Sequence, residues 1–247
     1  MRTKIIRIYI ITSLLLIAAL SYSFFTNLKF RQEVARERFN EDVVSFFNEV
    51  CLGGEEGGSR ITRKWGSEMR LYIVKDSAYS QQVEKIKEVV KDANKLFSDG
   101  FKISLVTDSA KANSYIVLSS HENLVQFPRF GNELGGMNER FFGHFTYNFT
   151  KDTITNSVIY VNTGKPFKMQ RNAIVEEIVQ SLGMGNDTDV YNNSIFFQHK
   201  YSAGLDTPTW SKMDEQLIKI LYHPKMQVGL NRVQTVPLVN EILEELK

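Results

Sequence analysis

The chain has 247 residues, of which 43% are hydrophobic and 23% charged, a composition typical of a folded globular protein rather than a disordered one. Its 30 basic and 28 acidic residues leave a formal net charge of +2, and this near balance argues against a dedicated nucleic-acid surface, which usually carries a clear basic excess. The single cysteine, Cys51, excludes an internal disulfide.

Residues 1–30 are predicted to be a signal anchor or a signal peptide. Arg2, Lys4 and Arg7 precede a stretch without charge, residues 8–28. As a helix this stretch would be about 31 Å long, close to the hydrocarbon thickness of a bilayer. An uncleaved membrane anchor is the leading interpretation, and a cleaved signal peptide or a buried helix is the alternative. With either kind of signal, the rest of the chain would be membrane-anchored and facing the periplasm or exterior, or secreted.

Residues 31–58 are predicted to form an amphipathic helix and a glycine-rich linker. In the helix, residues 31–50, apolar side chains recur at the three- and four-residue steps of a helical period. These side chains are Val34, Phe39, Val43, Phe46, Phe47 and Val50. The glycine cluster that follows, residues 52–59, lacks the Gly-Lys-Ser/Thr ending of a phosphate-binding loop, so we interpret it as a linker or long turn.

The remaining residues, 59–247, are enough for one well-packed domain. Periodicity and turn residues predict a strand at 69–74, a helix at 81–97, strands at 101–106, 114–119, 143–148 and 153–161, and helices at 173–182, 211–222 and 237–246. Ser211 and Asp214 form a capping-box pattern at the start of the second of these last helices. Residues 122–142 are predicted to be long and irregular. The order indicates an α/β (α+β) fold, a mixed, twisted sheet with packed helices.

The helix at 173–182 and the turn after it carry the most informative motif, E-E-I-V-Q-S-L-G-M-G-N-D at residues 176–187. The metzincin pattern H-E-x-x-H-x-x-G-x-x-H has metal ligands at its first, fifth and eleventh places, a base at its second and a glycine at its eighth. Here the three ligand places hold Glu176, Gln180 and Asn186. The place of the base holds Glu177, and the place of the glycine holds Gly183. The spacing of a zinc-peptidase motif is therefore kept, while every histidine is replaced.

Helical geometry predicts how these side chains are arranged. Residues four apart share a face, so Glu176 and Gln180 should point the same way, whereas Glu177 is turned from them by about 100°. Gly183 is predicted to end the helix in a left-handed conformation, which would return the chain toward that face and bring Asn186 with it.

Residues from about 63 to 230 resemble a bacterial family of zincin-like domains of unknown function, related to metzincins, with E-E-x-x-Q in place of H-E-x-x-H. The resemblance rests on Arg63-Lys64-Trp65, the motif with Asn186-Asp187, Ser194-Ile195-Phe196, and Asp214 through Leu221-Tyr222 to Gly229. It implies a zincin-like fold with a central motif helix. It also implies that Ser194 to Phe196 takes the place of the metzincin Met-turn, with Phe196 where the methionine would be.

The donor atoms decide what this site could bind. Catalytic zinc is usually held by imidazole, thiolate and carboxylate groups, so the neutral amides of Gln180 and Asn186 make zinc binding improbable. We predict a degenerate site without a cofactor, in which the motif side chains satisfy each other by hydrogen bonds. A second possibility is an oxygen-only site for Ca²⁺, Mg²⁺ or Mn²⁺, to which Asp187 and Asp189 would add charge.

The four histidines show no ligand spacing to one another. His144 lies in a predicted strand that could border the cleft, and His199 follows the altered Met-turn, so these two are the stray candidates for a metal ligand. The other two are His121 and His223, and His223 precedes Pro224 at a helix end. The first functional hypothesis is a non-catalytic or weakly catalytic module whose cleft binds a peptide, a protein or an envelope component, for example by strand addition.

Two further hypotheses remain. In an atypical metallohydrolase, Glu177 would be the general base and Glu176 would contribute to a non-standard metal site. A purely structural envelope protein would use neither residue. No nucleic-acid partner is expected.

Overall fold

The computed structural model describes residues 2–54, 59–75, 79–198 and 209–246, with side chains from residue 20 onward. The chain divides into two compact units, Met1–Asp42 and Val43–Lys247. A single helix, α1 (Arg2–Val50), replaces the apolar and the amphipathic helices that the sequence suggests as separate segments.

The first unit consists of α1 as far as Asp42. Its large apolar side chains between residues 20 and 30 are exposed, namely Leu20, Tyr22, Phe24, Phe25, Leu28 and Phe30. No helix within the described ranges is long and apolar enough to cross a membrane. Most of residues 8–28, the predicted anchor, precedes residue 20 and so lies outside the described side chains. The anchor therefore stays a prediction.

The second unit contains six strands and the other helices. The strands are β1 (Lys64–Trp65), β2 (Met69–Lys75), β3 (Ile103–Val106), β4 (Ser114–Ser119), β5 (Gly143–Thr150) and β6 (Thr153–Asn162). The helices are α2 (Ser80–Ala93), α3 (Gly131–Leu134), α4 (Phe167–Gln180), α5 (Lys212–Leu221) and α6 (Arg232–Glu245). Three 3₁₀ turns lie at Ser109–Lys111, His121–Gln126 and Pro128–Phe130.

The strands form one mixed sheet, as the sequence predicts. Its order is β3, β2, β4, β6, β5, and the two-residue strand β1 lies beside the start of β6 on the same side as β4. All pairs are parallel except β5 with β6, which pair antiparallel over the full length of β5. The apolar run of β6 is fully or nearly buried, as expected for a strand with neighbours on both sides.

Each face of the sheet has its own layer. On one face, α2, α4, α5, α6 and the last two turns of α1 enclose the main core, to which α1 contributes Val43, Phe46, Phe47 and Val50. On the other face, Val117, Val158 and Tyr160 pack against Phe130 and Leu134. The irregular segment predicted at 122–142 supplies this second layer through its short helical turns.

Helix boundaries depart from the sequence prediction where the local signals compete. The capping box at Ser211 and Asp214 is confirmed. The last helix begins at Arg232 rather than at residue 237, because Asn231 and Gln234 form a second capping box that the sequence analysis overlooked. Pro237 therefore lies inside α6, where its missing N–H removes one intrahelical hydrogen bond.

Two other helices also differ in length. Helix α4 starts at Phe167, directly after Pro166 and six residues before the predicted residue 173. Helix α2 ends at Ala93 instead of residue 97, because the chain turns at Asn94, whose side chain bonds the backbone of Ile103 in both directions, at 2.8 Å each.

Candidate functional site

Helix α4 carries the motif and ends at Gln180, two residues before the predicted end, and Gly183 follows in the left-handed conformation that the sequence predicts. Gly183 has a φ of 109°, a conformation that side chains other than glycine rarely adopt. The backbone of Arg63 passes directly beside it, so a Cβ atom at Gly183 would overlap the carbonyl oxygen of Arg63. This glycine is therefore required both for the turn and for the close approach of the segment that leads into β1.

Glu176, Gln180 and Asn186, which the motif spacing predicts as degenerate ligand positions, bond to three different partners. The Gln180 side chain, 2% exposed, donates from Nε2 to Oδ1 of Asp187 at 2.9 Å. Glu176 Oε1 accepts a hydrogen bond from Gln198 Nε2 at 2.7 Å. Both motif side chains are thus engaged by residues of the segment that follows the helix.

Asn186 points to α1. Its Nδ2 donates to the carbonyl oxygens of Glu49 and Leu52, each at 3.1 Å, and its backbone N–H donates to the carbonyl of Val50 at 3.3 Å. A helix leaves its last carbonyl groups without intrahelical partners, so Asn186 caps the C-terminal end of α1. The sequence predicts that the motif side chains bond to one another, whereas Asn186 bonds to residues at the end of α1.

The described ranges contain no cluster of three or more His, Cys, Asp or Glu side chains that could hold a metal ion. Among the aspartates considered for an oxygen-only site, Asp187 accepts the bond from Gln180, and Asp189 is exposed. The chemistry of the arrangement is that of hydrogen-bonded amide and carboxylate groups.

Glu177 lies where α4 meets the sheet. The side chain is only 7% exposed, and it faces Gly143, the first residue of β5. A Cβ atom at Gly143 would lie 2.5 Å from Glu177 Oε1, so the glycine allows the strand to approach the carboxylate. The role of Gly143 cannot be predicted from the sequence, because nothing local marks a glycine that opens space for a distant side chain.

The outer edge of β5 presents backbone groups. Within the described part of the chain, β5 pairs with β6 alone. The carbonyl of Phe142 accepts from the N–H of Asn162, opposite it, at 2.9 Å. Residues of an antiparallel strand alternate between bonding to the partner and pointing away from it. The N–H and C=O groups of Gly143, Phe145 and Tyr147 therefore point away from β6.

One face of β5 is aromatic. The ring centroids of Phe145 and Tyr147 are 5.8 Å apart, and those of Tyr147 and Phe149 are 6.4 Å apart. The Arg63 guanidinium lies 4.2 Å from the centroid of Phe149. Burial raises the pKa of Tyr147, and the positive charge and hydrogen bond of Arg63 offset part of this rise. The phenol is therefore neutral and can donate a hydrogen bond.

Asp214 holds the segment from Ser194 to Phe196 in place by hydrogen bonds. Ser194 Oγ donates to Asp214 Oδ1 at 2.7 Å, and the N–H of Ile195 donates to Oδ2 at 3.2 Å. Phe196 is fully buried in the main core, with its ring centroid 6.2 Å from that of Phe46. Burial raises the pKa of Asp214, although the hydrogen bonds that it accepts act in the opposite direction.

The histidines are dispersed. His144 pairs with Tyr160, which belongs to the second layer, so it lies on the face of the sheet opposite α4 and Glu177. His121 begins the first turn of that layer. The Nε2 atom of His223 lies 3.5 Å from a carboxylate oxygen of Glu245 in α6. His199, the second stray candidate, lies outside the described residues.

Comparison with known proteins gives a family without a known function. No curated protein matches the chain. A sequence profile described as "Protein of unknown function (DUF2927)" matches residues 23–241, which include the second half of α1, the whole sheet, the motif helix and most of α6. Because this match spans nearly all of the 247 residues, the chain belongs to the DUF2927 family.

Proposed function

We propose that this protein is a zincin-like module without peptidase activity, and that the outer edge of β5, beside α4, binds an extended polypeptide by strand addition. The observation that carries the proposal is the outer edge of β5, where Gly143, Phe145 and Tyr147 direct their backbone groups away from the sheet beside the motif helix. Main-chain pairing gives affinity without a metal and without a fixed ligand sequence.

The zincin-like assignment is supported by the motif region. The helix with peptidase spacing packs on the sheet next to an antiparallel edge strand, and it ends in the glycine turn that the spacing predicts. Glu177, at the position of the catalytic base, borders the first residue of that strand. A chain lying along β5 would therefore pass the place where a peptidase would hold its substrate.

Binding without hydrolysis is supported by the use of the ligand positions. Recruiting Asn186 to a metal would remove the hydrogen bonds that it donates to the end of α1. Recruiting Gln180 or Glu176 would break their bonds to Asp187 and Gln198. Amide oxygens are weak donors for zinc, so coordination would not compensate for these losses.

A bound strand can form two hydrogen bonds with each outward-facing residue of β5. Three such residues give six bonds, each with a net contribution of about 1 kcal/mol before the cost of ordering the peptide. The exposed side of Phe149 adds apolar contact at the far end of the strand. The expected ligand is therefore an extended segment with apolar side chains.

Amide hydrogen exchange tests this proposal directly. Peptides selected from a random library on the full-length protein are expected to slow exchange at the amides of Gly143, Phe145 and Tyr147 by about tenfold or more, since these amides gain a hydrogen bond. The amides of His144 and Thr146 already bond to β6 and serve as the internal control. N-methylation of every second peptide residue should abolish binding when the methylated residues are those that pair with β5. Methylation of the other set of residues should leave binding intact. Equal effects at all five amides would contradict strand addition.

Metal content separates this function from the atypical metallohydrolase. The full-length protein, purified without a metal-affinity tag, is expected to contain zinc only in substoichiometric amounts and to leave the selected peptides intact. Stoichiometric zinc that is lost in a Glu176→Ala variant would overturn the proposal. Peptide hydrolysis that a Glu177→Gln variant abolishes would establish the metallohydrolase, with Glu177 as general base.

A further inference from the structure

Arg63 is a buried cation beside the far end of β5. The residue is 7% exposed, and its guanidinium stacks on the ring of Phe149. Its positive charge also lies close enough to the hydroxyl of Tyr147 to offset part of the rise that burial causes in the pKa of that phenol. Moving a charged side chain out of water costs on the order of several kcal/mol. This cost is offset only when the charge is paired and its hydrogen bonds are formed.

The hydrogen bonds of this guanidinium are incomplete. Its Nε atom is buried and has no hydrogen-bond partner among the described residues. The carboxylate oxygen of Asp152 lies 4.0 Å from Nε, too far for a hydrogen bond, and the bond from Nη1 to the carbonyl of Ser59 is long, at 3.5 Å. A guanidinium carries five N–H donors, so within the described residues this one has more donors than acceptors around it.

We propose that Arg63 binds a carboxylate of the polypeptide that lies along β5. This inference rests on the proposed function and specifies the class of ligand. Arg63 stacks on Phe149, two residues beyond Tyr147, the last outward-facing residue of the strand. Two residues of an extended chain span about 7 Å, so the carboxylate belongs about two residues beyond the peptide residue that pairs with Tyr147.

The surroundings of Arg63 favour a carboxylate over other acceptors. Guanidinium and carboxylate groups match as planar, paired donors and acceptors, and such charge-assisted bonds are about twice as strong as neutral ones. The Phe149 ring covers one face of the guanidinium, so a ligand carboxylate would have to approach the edge that carries the N–H groups. Phe149 and Asp152 are partly exposed, so this end of the strand is accessible from solvent.

The test compares matched peptides on the full-length protein. A selected peptide is prepared with a free C-terminal carboxylate, with a C-terminal amide, and with each acidic side chain replaced by its amide. These forms show whether the carboxylate comes from the terminus or from a side chain. Neutralising the carboxylate that Arg63 binds is expected to weaken binding about tenfold to 100-fold.

Two variants locate the effect. Arg63→Met removes the charge but keeps an unbranched, apolar side chain, and it should bind the acid and amide forms equally. Lys165→Met removes a cation at the opposite end of β5, where Lys165 lies 5.1 Å from the ring of Phe142, and it should leave the ratio between the two forms unchanged. A ratio that depends on Lys165 instead of Arg63 would overturn the proposal.

The wild-type protein gives an answer even where Arg63→Met does not fold. The NMR resonance of the Arg63 Nε–H should shift with the acid form of the peptide and stay in place with the amide form. Slowed exchange at Gly143, Phe145 and Tyr147 together with equal binding of both forms would refute the role of Arg63 while keeping strand addition. Peptide binding without slowed exchange at these amides would refute the proposed function itself.

Discussion

A Gly183→Ala variant is expected to lower the free energy of unfolding by about 4 kcal/mol or more. Two costs add at this position. A side chain at a φ of 109° is strained by about 1–3 kcal/mol, and its Cβ would also overlap the carbonyl oxygen of Arg63. Relief of the overlap requires a shift of the segment that leads into β1. Gly183→Val should be still more damaging, because a β-branched side chain resists this conformation further.

Gly100 provides the matched control for this experiment. It has a φ of 89°, and nothing lies within 4 Å of a Cβ atom built there. Gly100→Ala therefore carries the backbone strain without the overlap, and urea unfolding of the two variants separates the two costs. The Gly183 variant is expected to be less stable than the Gly100 variant by about 2 kcal/mol. Equal losses would show that the contact with Arg63 adds nothing.

An Asp214→Ala variant is expected to cost about 3 kcal/mol of stability. This fully buried carboxylate accepts hydrogen bonds from the side chain of Ser194 and from the backbone N–H groups of Ile195 and Ser211. Alanine would leave these donors buried without their acceptor and would remove half of the capping box of α5. Asp214→Asn keeps one acceptor oxygen and should lose less. Equal stability of the alanine variant and the wild type would contradict this structural role.

The same residue gives a prediction about pH. Burial raises the pKa of Asp214 in the folded protein above its value of about 4 in an unfolded chain. A raised pKa means that the folded state binds the proton more tightly, so the stabilising contribution of Asp214 is complete below about pH 4 and is lost as the pH rises through the folded-state pKa. The free energy of unfolding of the wild type minus that of the Asp214→Asn variant should therefore decrease as the pH rises over this interval. A difference that increases with pH would show that folding lowers the pKa of Asp214 instead of raising it.

Local patterns predicted the elements whose signals lie within a few residues. The apolar run of β6 and the cap at Ser211 are of this kind, and both are found in the structure. The two-residue strand β1 has no periodicity to detect, because only its pairing with β6 defines it. The start of α6 was placed too late because Pro237 resembles a first helical residue, whereas the stronger cap at Asn231 determines the boundary.

The candidate site was predictable in outline but not in its contacts. The motif spacing indicated the glycine turn and the shared face of Glu176 and Gln180. The bonds that Asn186 donates to α1 join residues 137 and 134 positions apart, so no local pattern contains them. The contact of Glu177 with Gly143 likewise depends on how α4 lies on the sheet.

The bonds from Asn186 to the end of α1 also bear on how the protein should be dissected for experiments. The last two turns of α1 supply Phe46 and Phe47 to the main core. The turn after the motif helix is bonded through Asn186 to carbonyl groups at the end of α1. A fragment trimmed to the glycine-rich stretch would lose these rings and the anchorage of that turn at once. The shortest fragment worth expressing therefore begins ahead of Val43, the first residue of the second compact unit.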